Sequence, residues 1–415
     1  MLPEALKTSN KSYQDNILYK FQKEIINEAD PSYLIAADVG TGKTLMAIHH
    51  YLKHTQGEPL LIVAPPSKIK EGGWDREVKF VEEKYNINIG YKTLSYGVLA
   101  KRWKEFEQGW FVVFDECHYI KNPTSQRGKA GYKLSQSASN FLLLSGTPAS
   151  NDIGDMINYF IMFGFTKNKT QFQRKYGVWD KLYLGTRSVN QVVDYKEKDK
   201  LLGWYESFTT SVKKDDVLDL PPIVFVNKHF KPSKEYKTIE KDRVLNDAAY
   251  DTPSALMHGL REHTNTKDKI AYLKMLFEST DNNIVVFYNY NSELEEIKKI
   301  CKDKVLYEVN GNRQELPEKN TWSEIKNSVT LVQYRAGSAG IELQYANAVV
   351  YYTPTFSYQD YAQSLGRTHR NGQKKKVTVV KFVTQKTVEE QVWKTLENKK
   401  DFDTKIYLKT KLGVE

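Results

Sequence analysis

Short apolar runs, each too short for a buried helix and each followed by helical periodicity, recur along this chain. In the first half they are Tyr33–Ala37, Leu60–Ala64, Phe111–Phe114 and Phe141–Leu144; in the second, Ile284–Tyr288, Val329–Gln333, Ala348–Tyr352 and Val377–Phe382. A strand apolar at nearly every position must be covered on both faces, and a parallel sheet with helical crossovers provides that cover. The pattern therefore predicts an α/β protein. Between the two sets, residues 152–219 are polar with scattered aromatics and read as mostly helical. Leu220-Pro221-Pro222 then interrupts the chain, because proline disfavours helix at and before itself. A further helical stretch is expected from Ser233 to Glu278. The expected organisation is one lobe over 1–220, including a helical insertion at 152–219, and a second over 221–415, entered through linker helices.

Composition narrows the function classes. The chain has 415 residues, 61 Lys plus Arg against 51 Asp plus Glu, and a formal charge of +10. A basic balance is compatible with a polyanionic partner, but many basic proteins bind nothing anionic. Two cysteines, Cys117 and Cys301, exclude a disulfide framework and a cysteine-rich zinc site, and suit a reducing cytoplasm. No apolar stretch approaches the roughly 20 residues of a membrane span, and the first residues lack an apolar signal core.

The segment Tyr33-Leu-Ile-Ala-Ala-Asp-Val-Gly-Thr-Gly-Lys-Thr44 is an apolar strand, a glycine loop and the start of a helical pattern. That is the context a phosphate-binding loop requires. Gly40 and Gly42 let the backbone turn its N–H groups onto an anion, with Thr41 between them, and the helix start adds its positive dipole end. Lys43 can reach the β- and γ-phosphates of a nucleotide, and Thr44 offers a hydroxyl to Mg²⁺. Ala37 stands where the first glycine of such a loop is usual, which is tolerable if it closes the strand.

In Phe111-Val-Val-Phe-Asp-Glu-Cys-His118 an apolar strand runs directly into two carboxylates. Buried unpaired they would be very costly, so they belong at a sheet edge that meets solvent or ligand. Beside a magnesium nucleotide, Asp115 would hold the metal and Glu116 would orient and deprotonate an attacking water. Cys117 and His118 are adjacent and do not make a zinc site.

With these residues in hand, the chain resembles the superfamily 2 helicase-type ATPases. Phe21-Gln22 resembles their adenine-reading glutamine motif. Leu61-Ile-Val-Ala-Pro-Pro-Ser67, followed by Trp74 and Glu77, resembles the first nucleic-acid-contacting motif, and Thr93-Leu-Ser-Tyr96 the next. Leu144-Ser-Gly-Thr-Pro148, with Asn151, resembles the motif coupling hydrolysis to DNA, in which the Ser145 and Thr147 hydroxyls would bridge Asp115 and the lobe interface. Tyr334-Arg-Ala-Gly-Ser-Ala-Gly-Ile-Glu-Leu343 resembles the motif that senses nucleotide and backbone, including Gly340. Gln363-Ser-Leu-Gly-Arg-Thr-His-Arg-Asn-Gly-Gln373 resembles the arginine-finger motif. Arg367 and Arg370, three apart, would project from one helical face and suit a transferring phosphoryl group, with Gln363 alongside.

Details resemble the Swi/Snf-related DNA translocases: the Lys121-Asn122 ending after Asp115-Glu116, His369-Arg370-Asn-Gly-Gln373, Leu220-Pro221-Pro222 and Thr387-Val-Glu-Glu390. Departures are Cys117 for alanine, Glu342 for asparagine, and Lys213-Lys214 where paired arginines are usual.

The resemblance implies two RecA-like parallel-sheet lobes in tandem, ATP and Mg²⁺ as cofactors, and hydrolysis that requires lobe closure. It implies movement along double-stranded or branched DNA with little sequence preference. Backbone contacts would come from Ser67, Lys68, Ser95, Tyr96, Lys121 and Asn122 in one lobe and Arg335 and Ser338 in the other. Lys374, Lys375 and Lys376 add DNA affinity or form a solvated turn; Tyr288 and Tyr290 are expected to pack rather than stack on bases. A monomeric motor in the cytoplasm of a bacterium or phage-infected host is expected. The alternatives are a true helicase or branch-migration enzyme, and a DNA-binding scaffold without catalysis.

Overall fold

The computed structural model describes residues 17–149, 153–184, 187–334 and 341–398, together with Phe402, Thr404 and Tyr407. It divides into two compact units, residues 1–218 and 219–415. Each is built on a six-stranded parallel sheet.

In the first unit the strands are β1 (Tyr33–Ala37), β2 (Leu60–Ala64), β3 (Tyr91–Ser95), β4 (Phe111–Asp115) and β5 (Asn140–Ser145). An antiparallel hairpin follows, β6 (Gly177–Leu184) and β7 (Arg187–Tyr195), and then β8 (Thr209–Val212). The sheet order is β3-β2-β4-β5-β1-β8. Alternation sorts side chains to two cores. Leu34, Leu61, Val63, Val112, Phe114 and Leu143 face one, while Ile35, Leu60, Ile62, Val113, Leu142 and Leu144 face the other.

The second unit repeats the plan with β9 (Ile223–Phe230), a small hairpin β10 (Val244–Leu245) and β11 (Ala248–Ala249), then β12 (Ile284–Tyr288), β13 (Val305–Val309), β14 (Ser328–Gln333), β15 (Ala348–Tyr351) and β16 (Val377–Thr384). Its sheet order is β13-β14-β12-β15-β16-β9. Val285, Phe287, Val332, Val349 and Val379 pack on one face, and Ile284, Val286, Leu331, Val350 and Phe382 on the other.

The α/β class and the two parallel sheets are as expected from the apolar runs. Two expectations need correction. Each sheet has two strands beyond the central four: β3 and β8 in the first, β13 and β9 in the second. All four are edges, where polar side chains are tolerated and the apolar signal weakens. The segment 152–219 is not mostly helical. The hairpin β6–β7 lies between the helices Lys169–Tyr176 and Lys198–Ser207, with a bulge at Val178/Trp179. Its β-branched and aromatic residues, among them Val178, Trp179, Val189, Val192 and Val193, favour strand. Among the described residues no helix is long and apolar enough to cross a membrane.

Candidate active site and nucleic-acid contacts

Open parallel sheets place ligands beyond the carboxyl ends of their strands, and in the first unit the expected residues gather there. Ala37 closes β1, and Gly40 (φ 92°) and Gly42 (φ 81°) are left-handed. Gly42 precedes the helix Lys43–His54. The left-handed backbone favours glycine at Gly42, and a Cβ there would lie 2.5 Å from Gln22 Nε2 and displace that side chain from the loop. Gln22 is turned onto the loop: its Nε2 donates to the Thr41 carbonyl (2.8 Å) and its Oε1 accepts from the Tyr19 N–H (2.9 Å). Thr41 Oγ1 donates to the Asp38 carbonyl at 2.8 Å. Lys43 doubles back to give Nζ to the carbonyls of Ala37 (2.6 Å) and Asp38 (3.1 Å). Burial lowers the pKa of its ammonium, with Glu116 pulling the other way.

Asp115 is the last residue of β4 and is 1% exposed. Lys68 Nζ donates to both of its oxygens (2.9 and 3.1 Å), and the Trp74 indole N–H donates to Oδ2 at 3.0 Å. Glu116 turns left-handed (φ 58°), a conformation that non-glycine residues adopt at a cost and that clusters at functional sites. Its carboxylate lies 3.5 Å from Lys68 Nζ and 3.4 Å from His118 Nδ1. Burial alone would raise its pKa; Lys68, the His118 hydrogen bond and Lys43 outweigh that and hold it well below the usual range. Ser145 Oγ meets His118 Nδ1 (3.3 Å) and accepts the Thr147 N–H (3.1 Å). The expected bridge from Ser145 therefore runs through His118 to Glu116 rather than to Asp115. Gly146 brings this motif onto the loop, since a Cβ there would lie 3.4 Å from the Ala37 carbonyl and 3.8 Å from Lys43 Nζ.

The hard oxygens of Asp115 and Thr44 suit Mg²⁺, which is commonly held by one or two carboxylates plus nucleotide phosphates. Lys68 marks the position beside Asp115 and Glu116 as one that takes positive charge. Among the described residues no three His, Cys, Asp or Glu gather to hold a metal by themselves.

The proposed nucleic-acid contacts are not brought together as a set. Ser67 and Ser95 are partly exposed. Lys68 is drawn inward, because two buried carboxylates demand a counter-ion. Tyr96 is 1% exposed and stacks on Tyr119 with centroids 5.1 Å apart, so it is a core residue and not an available contact. Lys121 pairs with Asp155 at 2.9 Å. Asn122 Oδ1 accepts the Thr124 N–H (3.0 Å) and hydroxyl (2.8 Å), building the turn before the helix Gln126–Ser137. Asn151, Arg335, Ser338 and Gly340 lie outside the described residues.

In the second unit Gln363 and Arg367 are buried on the helix Tyr358–Thr368. That helix ends before Arg370, so the expected common helical face does not form. His369 leaves helical space (ψ 82°) and its Nε2 meets the Pro221 carbonyl at 2.8 Å. Arg370 sits in the following turn with NH1 3.9 Å from Glu342, whose other oxygen is 2.5 Å from Lys319 Nζ. Glu342 is thus a counter-ion to two cations. Gln373 Nε2 points at the carbonyls of Ala346 (2.8 Å), Gln344 (3.1 Å) and Thr368 (3.3 Å), which organises the turn. Lys374, Lys375 and Lys376 are exposed; Tyr288 is buried and Tyr290 packs against Arg261 and His258.

Sequence reasoning missed the roles of Trp74, His118 and Gln373. The signal for Trp74 was partial: a buried indole must satisfy its N–H, but nothing in the sequence names an acceptor 41 positions away.

Comparison with known proteins agrees with this architecture. Residues 80–274 match the SNF2-related domain and residues 268–372 the helicase conserved C-terminal domain. The chain is 24% identical to the SWI/SNF-related matrix-associated actin-dependent regulator of chromatin subfamily A-like protein 1 of Xenopus tropicalis, over 96% of this chain and 46% of that protein. It is 24% identical to an uncharacterized ATP-dependent helicase of Mycoplasma pneumoniae (90% and 40%) and 23% identical to the mouse DNA annealing helicase and endonuclease ZRANB3 (96% and 41%). The chain thus spans less than half the length of these relatives. Among solved structures it is similar to the Sulfolobus solfataricus SWI2/SNF2 ATPase core in complex with dsDNA, at 19% identity and a TM-score of 0.42, covering 92% of this chain and 91% of that one. By sequence the chain thus carries an SNF2-related domain followed by a helicase conserved C-terminal domain, the two parts of a helicase-like ATPase.

Proposed function

We propose that this chain is a DNA-dependent ATPase that uses hydrolysis to move along double-stranded DNA with little sequence preference. The observation that carries the reading is the gathering of Lys43, Asp115 and Glu116 at the carboxyl ends of β1 and β4, with Gly146 pressed against the loop. Lys43 would exchange the Ala37 and Asp38 carbonyls for phosphate oxygens, and the start of the helix Lys43–His54 would add its dipole. A magnesium ion carried by the nucleotide, held by Asp115 and Thr44, would neutralise charge developing on the phosphates. Glu116, kept ionised, is suited to take the proton of the attacking water, and His118 keeps its carboxylate oriented. Arg367 and Arg370 of the second unit are assigned to the transferring phosphoryl group. The names of the relatives, which include helicases and a chromatin regulator, support DNA as the track, as does the basic balance of the chain.

The test is ATP turnover with and without duplex, beside triplex displacement and fork unwinding. DNA-stimulated turnover and triplex displacement without unwinding are expected. Unwinding of forks without displacement would replace translocation by strand separation, and turnover indifferent to DNA would remove DNA from the account.

A further inference from the structure

Lys68 occupies a position that the reading above does not use. Its ammonium is shared by Asp115 and Glu116, at 2.9 to 3.5 Å from three of their oxygens. The carboxylates are almost fully buried, whereas the Lys68 side chain is 22% exposed. It is carried on the helix Pro66–Lys70, in which no residue is buried. Nothing in the core therefore has to move if Lys68 swings outward. Trp74, 3% exposed, donates to the same Asp115 oxygen, Oδ2, from a buried position.

A metal ion bound by Asp115 and the Lys68 ammonium cannot share the same oxygens, because two cations at such range repel strongly in a site this poor in water. Metal and lysine are competitors. When the metal takes the carboxylates, Lys68 is released beside the partly exposed Ser67 and needs a new anion. A lysine is a compact charge on a rotatable stem, suited to changing partners. We propose that Lys68 is the positioning residue that couples DNA to metal-nucleotide binding. It neutralises Asp115 and Glu116 in the resting protein and transfers to a DNA backbone phosphate when the metal-nucleotide enters. This deepens the proposed function and rests on it. Because such linkage is reciprocal, DNA that captures Lys68 raises metal affinity by the factor with which metal raises DNA affinity.

The experiment measures Mn²⁺ affinity of the full chain in the presence of ADP, by electron paramagnetic resonance, with and without a random-sequence duplex. In the wild type the duplex should raise Mn²⁺ affinity about tenfold, within the usual range of such coupling. Lys68→Gln should bind Mn²⁺ without DNA as tightly as the wild type does with it, and the duplex should then add little. Wild-type coupling in Lys68→Gln, or weaker Mn²⁺ binding in it, overturns the proposal while leaving the ATPase reading intact. A wild type whose metal affinity ignores DNA overturns the proposal alone, and one that binds no ADP overturns both. Should Lys68→Gln fail to fold, Lys68→Arg decides. Its forked group grips a carboxylate more firmly, so Mn²⁺ affinity without DNA should fall below wild type, and an unchanged affinity overturns the proposal.

Discussion

Two pairings of lysine with buried carboxylate, one taken from each unit, differ in kind. Lys269 and Glu389 are each 1% exposed and lie 2.5 Å apart. Thr264 Oγ1 bonds both, and the Thr384 N–H reaches the second oxygen of Glu389 at 3.2 Å. Every group is answered by another that cannot leave. In the first unit Lys68 serves two carboxylates at once from a partly open position. The sealed pair joins the helix Thr266–Glu278 to the helix Val388–Glu397. The open one sits at the carboxyl ends of strands, where ligands bind. Burial of an ion pair by itself therefore says little about purpose; whether one partner can be exchanged says more.

Substitutions can break this contrast. Lys43→Ala or Glu116→Gln should give the largest effect, abolishing DNA-stimulated turnover or lowering it by about 10²–10⁴, with the cooperative unfolding transition of a folded protein retained. Turnover near wild type in either would remove these residues from the site. Arg370→Ala should slow turnover by about 10³ or more while nucleotide affinity, read by fluorescence titration, holds. Lys269→Met should do the reverse of Glu116→Gln. Leaving Glu389 buried and unpaired should cost about 3–5 kcal/mol of stability in urea titration, with turnover per folded molecule unaltered. Gly42→Ala meets Gln22 and a left-handed backbone, and about 1–3 kcal/mol of strain should appear as lost stability together with weaker nucleotide binding.

The smallest effect concerns pH. The folded pKa of Glu116 lies below its ordinary 4.5. Its contribution to stability is complete above that value and lost as pH falls through the lowered one. Glu293 is the opposite case. Burial raises its pKa, although it accepts the N–H groups of Asn289 and Tyr290 and the Thr353 hydroxyl. Its contribution is present below the ordinary 4.5 and lost as pH rises through the raised value. Relative to wild type, Glu116→Gln should gain stability on acidification and Glu293→Gln on neutralisation, each read from urea titrations across the acid range.

Much of the fold was legible because burial on both faces leaves a mark in sequence. The central four strands of each sheet carry it. Thr93 in β3 and Asn227 in β9 belong to edges that do not need to be apolar throughout, and the hairpin β6–β7 alternates too weakly to outvote its polar neighbours. The loop and the carboxylates were legible for another reason: glycine, lysine and paired acids at strand ends have few uses. The partners that Lys68, Tyr96 and Lys121 take in the structure were not legible, because adjacency in a motif does not reveal which way a side chain turns. Lys68 goes to whichever buried charge is nearest, Tyr96 stacks under Tyr119, and Lys121 is claimed by Asp155, more than thirty positions along the chain.

The strand pairings also bear on how the chain is made. β1 lies beside β8, with Leu34 opposite Thr209, and β9 lies beside β16, with Ile223 opposite Val377. In each unit an early strand has an open flank until one of the last has been synthesised. During synthesis, therefore, neither sheet can complete its strand order until nearly the whole of its unit has left the ribosome.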